Sequence, residues 1–378
     1  MISIIAAWRA VAAMFILNGA LFGIWASRIP AVRDTLQLNH EDLGVALLFM
    51  AAGAVCSFPV TGRLTDRFGA VYITRVIAVL YTLSLILLAV ADSFAGLCLA
   101  LFIFGAFHGS MDVAMNAWAA EVEQAFDKPV MSSFHAMWSL GAGMGALSGY
   151  AAVQMQLSVF DHFMLSGAVV VVLALALSWV PWTSRRAGRA GGSVFALPSG
   201  ALVLVGFTAL CGALGEGAVA DWSAIFLRDA IGAAESVATL GYAVFSVAMV
   251  TIRLAGGVAI ARFGPVSSAR FSGLCAAVGV FCVVSSWSTN LALVGFALMG
   301  VGYAVIMPLA FSRAANDPNV PPGQAIASVA TLGYGGLLIG PPLIGFLAEM
   351  YSLRTAFGVL LPLAVLIAVL AGALKRAD

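Results

Sequence analysis

The sequence predicts an all-α membrane protein: twelve transmembrane helices in two six-helix repeats, with both termini cytoplasmic. Three observations carry that expectation. Of 378 residues, 62% are hydrophobic and 9% are charged, against about 45–50% and about 25% in a soluble globular chain, so there are too few charges to cover a water-facing surface. Twelve apolar runs are each long enough to cross a bilayer. The two halves of the chain are copies of each other at one fixed offset. The near balance of 18 basic and 17 acidic residues excludes the broad basic field that nucleic-acid binding needs, leaving the lipid bilayer as the expected surroundings.

A helix needs about 20 apolar residues to cross a hydrocarbon core of roughly 30 Å. That ruler marks spans near 9–27, 43–61, 71–91, 95–119, 131–153 and 163–182, then 199–221, 237–259, 268–287, 291–312, 325–348 and 355–374. The first follows Arg9 and is too long for a signal-peptide core, so it is read as a retained span. Continuous runs of this kind exclude a porin-like barrel, whose segments are short and alternating. Cys56, Cys98, Cys211, Cys275 and Cys282 all lie in apolar stretches without a CxxC pair; they are read as small packing residues, with neither disulfide framework nor metal site.

Orientation follows from the excess of Lys and Arg in cytoplasmic loops. Thirteen basic residues, among them Arg9, Arg63, Arg67, Arg75, Lys128, Arg185, Arg186, Arg262, Arg313 and Lys375, fall on the side shared by the termini. Arg28, Arg33, Arg228 and Arg354 fall on the other, and Arg253 lies within span 8.

The stretch from Thr183 to Pro198, basic and then Gly-rich, reads as a linker. It divides the chain into an N-terminal bundle (1–182), the cytoplasmic linker (183–198) and a C-terminal bundle (199–378). After span 2 the chain reads Gly62-Arg63-Leu64-Thr65-Asp66-Arg67-Phe68-Gly69; after span 8 it reads Gly257-Val258-Ala259-Ile260-Ala261-Arg262-Phe263-Gly264, an offset of 195. The same offset carries Arg33-Asp34 onto Arg228-Asp229, Gly105 onto Gly300, Gly141 onto Gly336 and Gly145 onto Gly340. Internal duplication of this kind marks folds whose solute site lies near the bilayer midplane.

The Gly62-x-Leu64-x-Asp66-Arg67-x-Gly69 segment, with twelve spans and a 6+6 repeat, resembles the major facilitator superfamily over the whole chain. Met111-Asp112-Val113-Ala114-Met115-Asn116 is similar to the acid-x-Ala-x-Asn signature of the fucose:proton symporter family, and the stretches 23–30 and 216–223 look closer still to the YbjJ-like bacterial inner-membrane branch. Fucose symporters carry a second acid near the outer end of span 1, where Ala26 stands here, a departure that weighs against fucose itself. The resemblance implies a multi-pass protein of a bacterial-type inner membrane. It further implies a monomer without cofactor that moves a small-molecule solute with protons by alternating access.

Ionisable groups inside spans mark a pathway, because a charge in hydrocarbon is costly. On span 4, His108, Asp112 and Asn116 are spaced i, i+4, i+8 and share a stripe; His135 enters span 5 at a similar depth. A carboxylate alternately wetted and sealed can load and release a proton, so Asp112, His135 and His108 are the candidate proton-coupling residues. A permanently hydrogen-bonded helix tie is the competing reading of Asp112. In the other half Glu216 either contacts solute or pairs with Arg28 in an outer gate. Asn18, Asn116, Trp138, Tyr242, Tyr303 and Tyr334 complete the candidate solute-binding set, since rings with polar handles suit sugar-like or aromatic ligands. Asp66, Arg67 and Arg28 are the candidate gating residues. Asp221 and Trp222 read as an outer aromatic belt, and the Gly141, Gly145, Gly149 and Gly336, Gly340 spacings as sites of close helix approach.

Proton-coupled uptake of a sugar-like solute is the first expectation, a proton-driven drug or metabolite exporter the second, and a non-transporting receptor a remote third. No HExxH, GxSxG or Walker A segment supports an enzyme.

Overall fold

The structure is a computed structural model that describes residues 4–126, 130–184, 198–320 and 322–375. Most of the expected linker, with Arg185 and Arg186, and also Lys128, lies outside the described residues. The described chain is helical with no strand, as hydrocarbon requires: with no water to satisfy backbone N–H and C=O groups, a spanning segment must bond them internally. The first six helices are α1 (Ile4–Thr35), α2 (His40–Phe68), α3 (Ala70–Ala89), α4 (Phe94–Phe126), α5 (Met131–Gln154) and α6 (Val159–Ser178). Then follow α7 (Leu202–Ala230), α8 (Glu235–Gly256), α9 (Val258–Ser285), α10 (Thr289–Ala314), α11 (Ser328–Met350) and α12 (Leu353–Leu374). Among the described residues, eleven helices have the length and apolarity of a membrane span. The twelfth, α5, is long enough at 24 residues but is diluted by Ser133, Ser139, Gly141, Gly143, Gly145, Ser148 and Gly149.

Two compact units result. The first comprises α1–α6 and the segment Glu235–Ala243; the second comprises α7 and the chain from Val244 onward. Within the first, α1 packs on α5 and α6, α2 on α4, and α3 on α4 and α6. Within the second, α7 packs on α11 and α12, and Gly300 places α10 against the Phe245 carbonyl of α8.

The offset of 195 recurs in the packing. A Cβ on Gly105 would run into the backbone of Met50, and one on Gly300 into the backbone of Phe245, the residue 195 beyond Met50. Gly141 and Gly145 sit against the carbonyls of Ile16 and Ala20 on α1, and Gly149 against the side chain of Ser27, which explains the small-residue spacing on α5. Gly69 (φ 92°, ψ 144°) and Gly264 (φ 80°, ψ 164°) both turn the chain in a region open essentially to glycine. At Gly264 the turn kinks what is otherwise one helical run, Leu240–Ser285. Even the caps repeat: Ser93 Oγ accepts from Gly96 N (3.3 Å) at the start of α4, and Ser288 Oγ from Leu291 N (3.4 Å) at the start of α10. Helix α5 is capped from a neighbour instead, Glu123 Oε2 accepting from Val130 N (2.7 Å) and Met131 N (2.6 Å).

Candidate functional site

In the first unit the α4 stripe forms as its spacing predicts. Asn116 Nδ2 donates to the Asp112 carbonyl (2.8 Å) and to Asp112 Oδ1 (3.1 Å), so the carboxylate is oriented by an amide one turn along its own helix. His108 is held from α3, its Nδ1 at 2.9 Å from Tyr81 Oη. His135 lies exposed on α5 with its ring edge-on to Phe15.

Around His108 the rings gather on Phe22 of α1. Phe22 lies with its centroid 5.5 Å from His108, 6.0 Å from Trp138 and 5.9 Å from Tyr242. One turn earlier on the same face, and midway along α1, Asn18 is fully buried. Its Nδ2 reaches only the Met115 sulfur, at 3.6 Å, and its Oδ1 has no hydrogen-bond partner. A buried, unsatisfied amide oxygen is a standing cost of about 1–3 kcal/mol that a ligand hydroxyl or amine would remove.

The second unit places its polar groups on different helices. Glu216 stands midway along α7, its Oε2 3.5 Å from Arg253 Nη2 of α8. Within its own unit Glu216 pairs with Arg253, and within the first unit Arg28 donates to the Leu157 carbonyl (3.3 Å) and lies 3.8 Å from Glu235. Arg253 Nε also donates to the Ala304 carbonyl at 3.3 Å. That carbonyl is available for a definite reason: α10 is interrupted between Tyr303 and Ile306, and Pro308, four residues after Ala304, has no N–H to close the helical bond. Tyr303, the last residue before the break, packs its ring on Gly215 of α7 and is buried, with its Oη lacking a partner.

Asp66 and Arg67 are exposed at the end of α2, with the Arg67 guanidinium over the Phe68 ring at 5.0 Å. Tyr334 is exposed on α11. The belt reading of Asp221 and Trp222 does not hold: both are buried, Trp222 completely, on a helix that packs against α11 and α12. Sequence reasoning gave no role to Arg253, Phe22 or Tyr81. A lone arginine within an apolar span was the available signal for Arg253; Phe22 and Tyr81 carry none, being ordinary core residues until their neighbours are known.

Duplicated six-helix repeats that bury polar and charged side chains halfway along apolar helices define a multi-pass membrane transporter, not an enzyme. A family model of the Major Facilitator Superfamily matches residues 10–320 and again 205–378, and the chain belongs to that superfamily. It is 47% identical over 370 residues to the uncharacterized transporter y4wD of Sinorhizobium fredii, covering 98% of both chains. It is 34% identical to an uncharacterized MFS-type transporter of Yersinia pestis over 96% of this chain and 94% of that one. The membrane protein MosC of Rhizobium meliloti is 29% identical over 95% of this chain and 88% of its own. Among solved structures, the nucleoside transporter NupG (TM-score 0.73, 14% identity, 99% of this chain and 100% of that one) shares the fold. So does a D-xylose-proton symporter (TM-score 0.76, 14% identity, 98% and 97%).

Proposed function

We infer that this transporter couples a small polar solute to protons by alternating access, with Asp112 as the group that carries the proton. The observation behind this reading is the placement of Asp112: a carboxylate well inside a 33-residue apolar helix, oriented by Asn116 and preceded on its stripe by His108. Coupling needs a group ionised in one access state and neutral in the other, which an acid alternately wetted and sealed provides. The first unit offers Asn18, Asn116, Trp138 and Tyr242 as solute contacts and the second offers Glu216, Tyr303 and Tyr334, while His135 and His108 serve the proton. Asp66, Arg67 and Arg28 set the conformational balance, the last through its contact with Glu235. The nucleoside and xylose-proton transporters of the same fold support a sugar-like solute, and a bacterial inner membrane with cytoplasmic termini fits the distribution of Lys and Arg.

The test is reconstitution of Asp112→Asn, which mimics the protonated acid permanently. Uphill accumulation driven by a pH difference should vanish, while exchange of labelled for unlabelled solute survives. Accumulation that persists in the variant under a pH difference alone sinks the assignment.

A further inference from the structure

Glu216, Arg253 and Tyr303 come from α7, α8 and α10 of the second unit, where Pro308 leaves the Ala304 carbonyl of α10 without its helical hydrogen bond. Arg253 joins Glu216 Oε2 to the Ala304 carbonyl that Pro308 leaves open, and the residue next to Ala304 is Tyr303, whose ring covers Gly215, the residue next to Glu216. Tyr303 is 2% exposed and its hydroxyl is without a partner. The ion pair is long, 3.5 Å where a charge-assisted bond is about 2.7–2.9 Å. Glu216 keeps a fifth of its side-chain surface open and Arg253 a tenth, so both remain reachable.

We propose that Arg253 and Glu216 together clamp two adjacent hydroxyls of a neutral, ring-shaped polyol, with the Tyr303 hydroxyl bonding a third polar atom. This rests on the transporter reading above and narrows its solute class. Charge selects the neutral ligand: the pair balances itself, and an anion or cation added to it would leave a net charge in the bilayer interior. Chemistry selects the diol. A carboxylate only accepts and a guanidinium only donates, and neighbouring hydroxyls offer one donor and one acceptor side by side. At the matching positions 195 residues earlier the first unit has Leu21, Phe58 and His108, and His108 is already bonded to Tyr81, so the clamp belongs to the second unit alone.

The experiment measures binding of D-ribose, 2-deoxy-D-ribose, myo-inositol, D-glucuronate and D-glucosamine to the purified full chain in lipid nanodiscs. D-Ribose or myo-inositol should bind in the millimolar range or tighter, and the two charged sugars at least tenfold more weakly. Loss of one diol hydroxyl, read from D-ribose against 2-deoxy-D-ribose, should weaken binding about tenfold. Arg253→Gln and Glu216→Gln should each reduce binding of the neutral rings at least tenfold and collapse that preference toward one. Tyr303→Phe should reduce binding threefold or more without lowering the melting temperature. Arg253→Lys keeps the charge but loses the fork, and provides the same comparison should Arg253→Gln not fold. Binding of both neutral rings unchanged within twofold in these variants, tighter binding of a charged sugar, or no binding of either neutral ring at 50 mM overturns the proposal. Each of these would leave proton coupling through Asp112 standing, because that is read from accumulation against exchange and needs no knowledge of the clamp.

Discussion

In the first repeat α4 runs from Phe94 to Phe126 with its His108 ring held by Tyr81; in the second, the hydrogen-bond ladder of α10 lapses just after Tyr303, the residue matching His108, and the position matching Tyr81 is Ala276. Where α10 has Pro308, α4 has Val113. Charge is distributed in the opposite sense: the first repeat carries its acid on α4 at Asp112, opposite Met307 in the count, while the second carries Glu216 and Arg253 on α7 and α8, opposite Leu21 and Phe58. Duplication therefore preserved the helix skeleton and let the polar chemistry migrate. Backbone packing is set by small residues that cannot change without collision, whereas a buried polar side chain needs only some partner, which any adjoining helix can supply.

The steepest consequence lies in the helix seams. A Cβ on Gly145 would collide with the Ala20 carbonyl, but one on its repeat mate Gly340 would find its nearest neighbour, Leu214 O, at 3.8 Å. Gly145→Ala should destabilise the protein by about 3 kcal/mol through forced backbone shifts, and Gly340→Ala by less than about 0.5 kcal/mol, as expected where nothing is displaced. Thermal unfolding of the two variants in one detergent measures the contrast; equal losses would mean that the seams are equivalent.

Next in size is the pair of tyrosines. Tyr81→Phe strips the half-buried His108 ring of its Tyr81 hydrogen bond and should cost about 1 kcal/mol, the usual net worth of such a bond. Tyr303→Phe removes a hydroxyl that already lacks a partner and should leave the ligand-free protein as stable as before. Denaturation of both variants without ligand decides this, and a Tyr303→Phe protein that melts like Tyr81→Phe would show that the second repeat's network is also closed.

The smallest difference is at the end of α10, where Arg313 Nη1 donates to Asp317 Oδ2 at 3.0 Å, while the position matching Asp317 in α4 is the buried Val122. The backbone N–H of Asn319, first, and then Arg313 hold the Asp317 carboxyl below the usual carboxylate range. A depressed value favours the folded state above the unfolded pKa of about 3.9. The stabilisation is thus complete at neutral pH and is lost as pH falls below about 4 through the folded-state value. The melting-temperature gap between wild type and Asp317→Asn should close on acidification, and a gap that stays constant down to about pH 3 would contradict it.

The fold was legible in the sequence because its determinants are local or periodic. Span lengths, the glycine at 69 and again at 264, and the small residues of α5 each act through the backbone, and the repeat printed most of them twice. The candidate site was legible where its geometry lies within one helix: Asp112 and Asn116 meet because i and i+4 must share a face. It was not legible where partners come from different helices. A charge inside a unit pairs with whatever packing brings nearest, Glu235 for Arg28 and Arg253 for Glu216, and no spacing in the sequence names either partner.

Sequence alone thus determined that this chain spans a membrane and that it is duplicated, since apolar length and a repeated pattern impose those outcomes in any arrangement; close approach followed the glycine spacing at Gly141 and Gly145 but not at Gly340. Tertiary structure alone decided which polar groups are satisfied and which are left open. Asn18 Oδ1 and the Tyr303 hydroxyl are unpartnered, and Arg253 caps the Ala304 carbonyl. These facts depend on the rotation and depth of each helix against its neighbours, and a few degrees or one turn in either changes the partner without changing a residue.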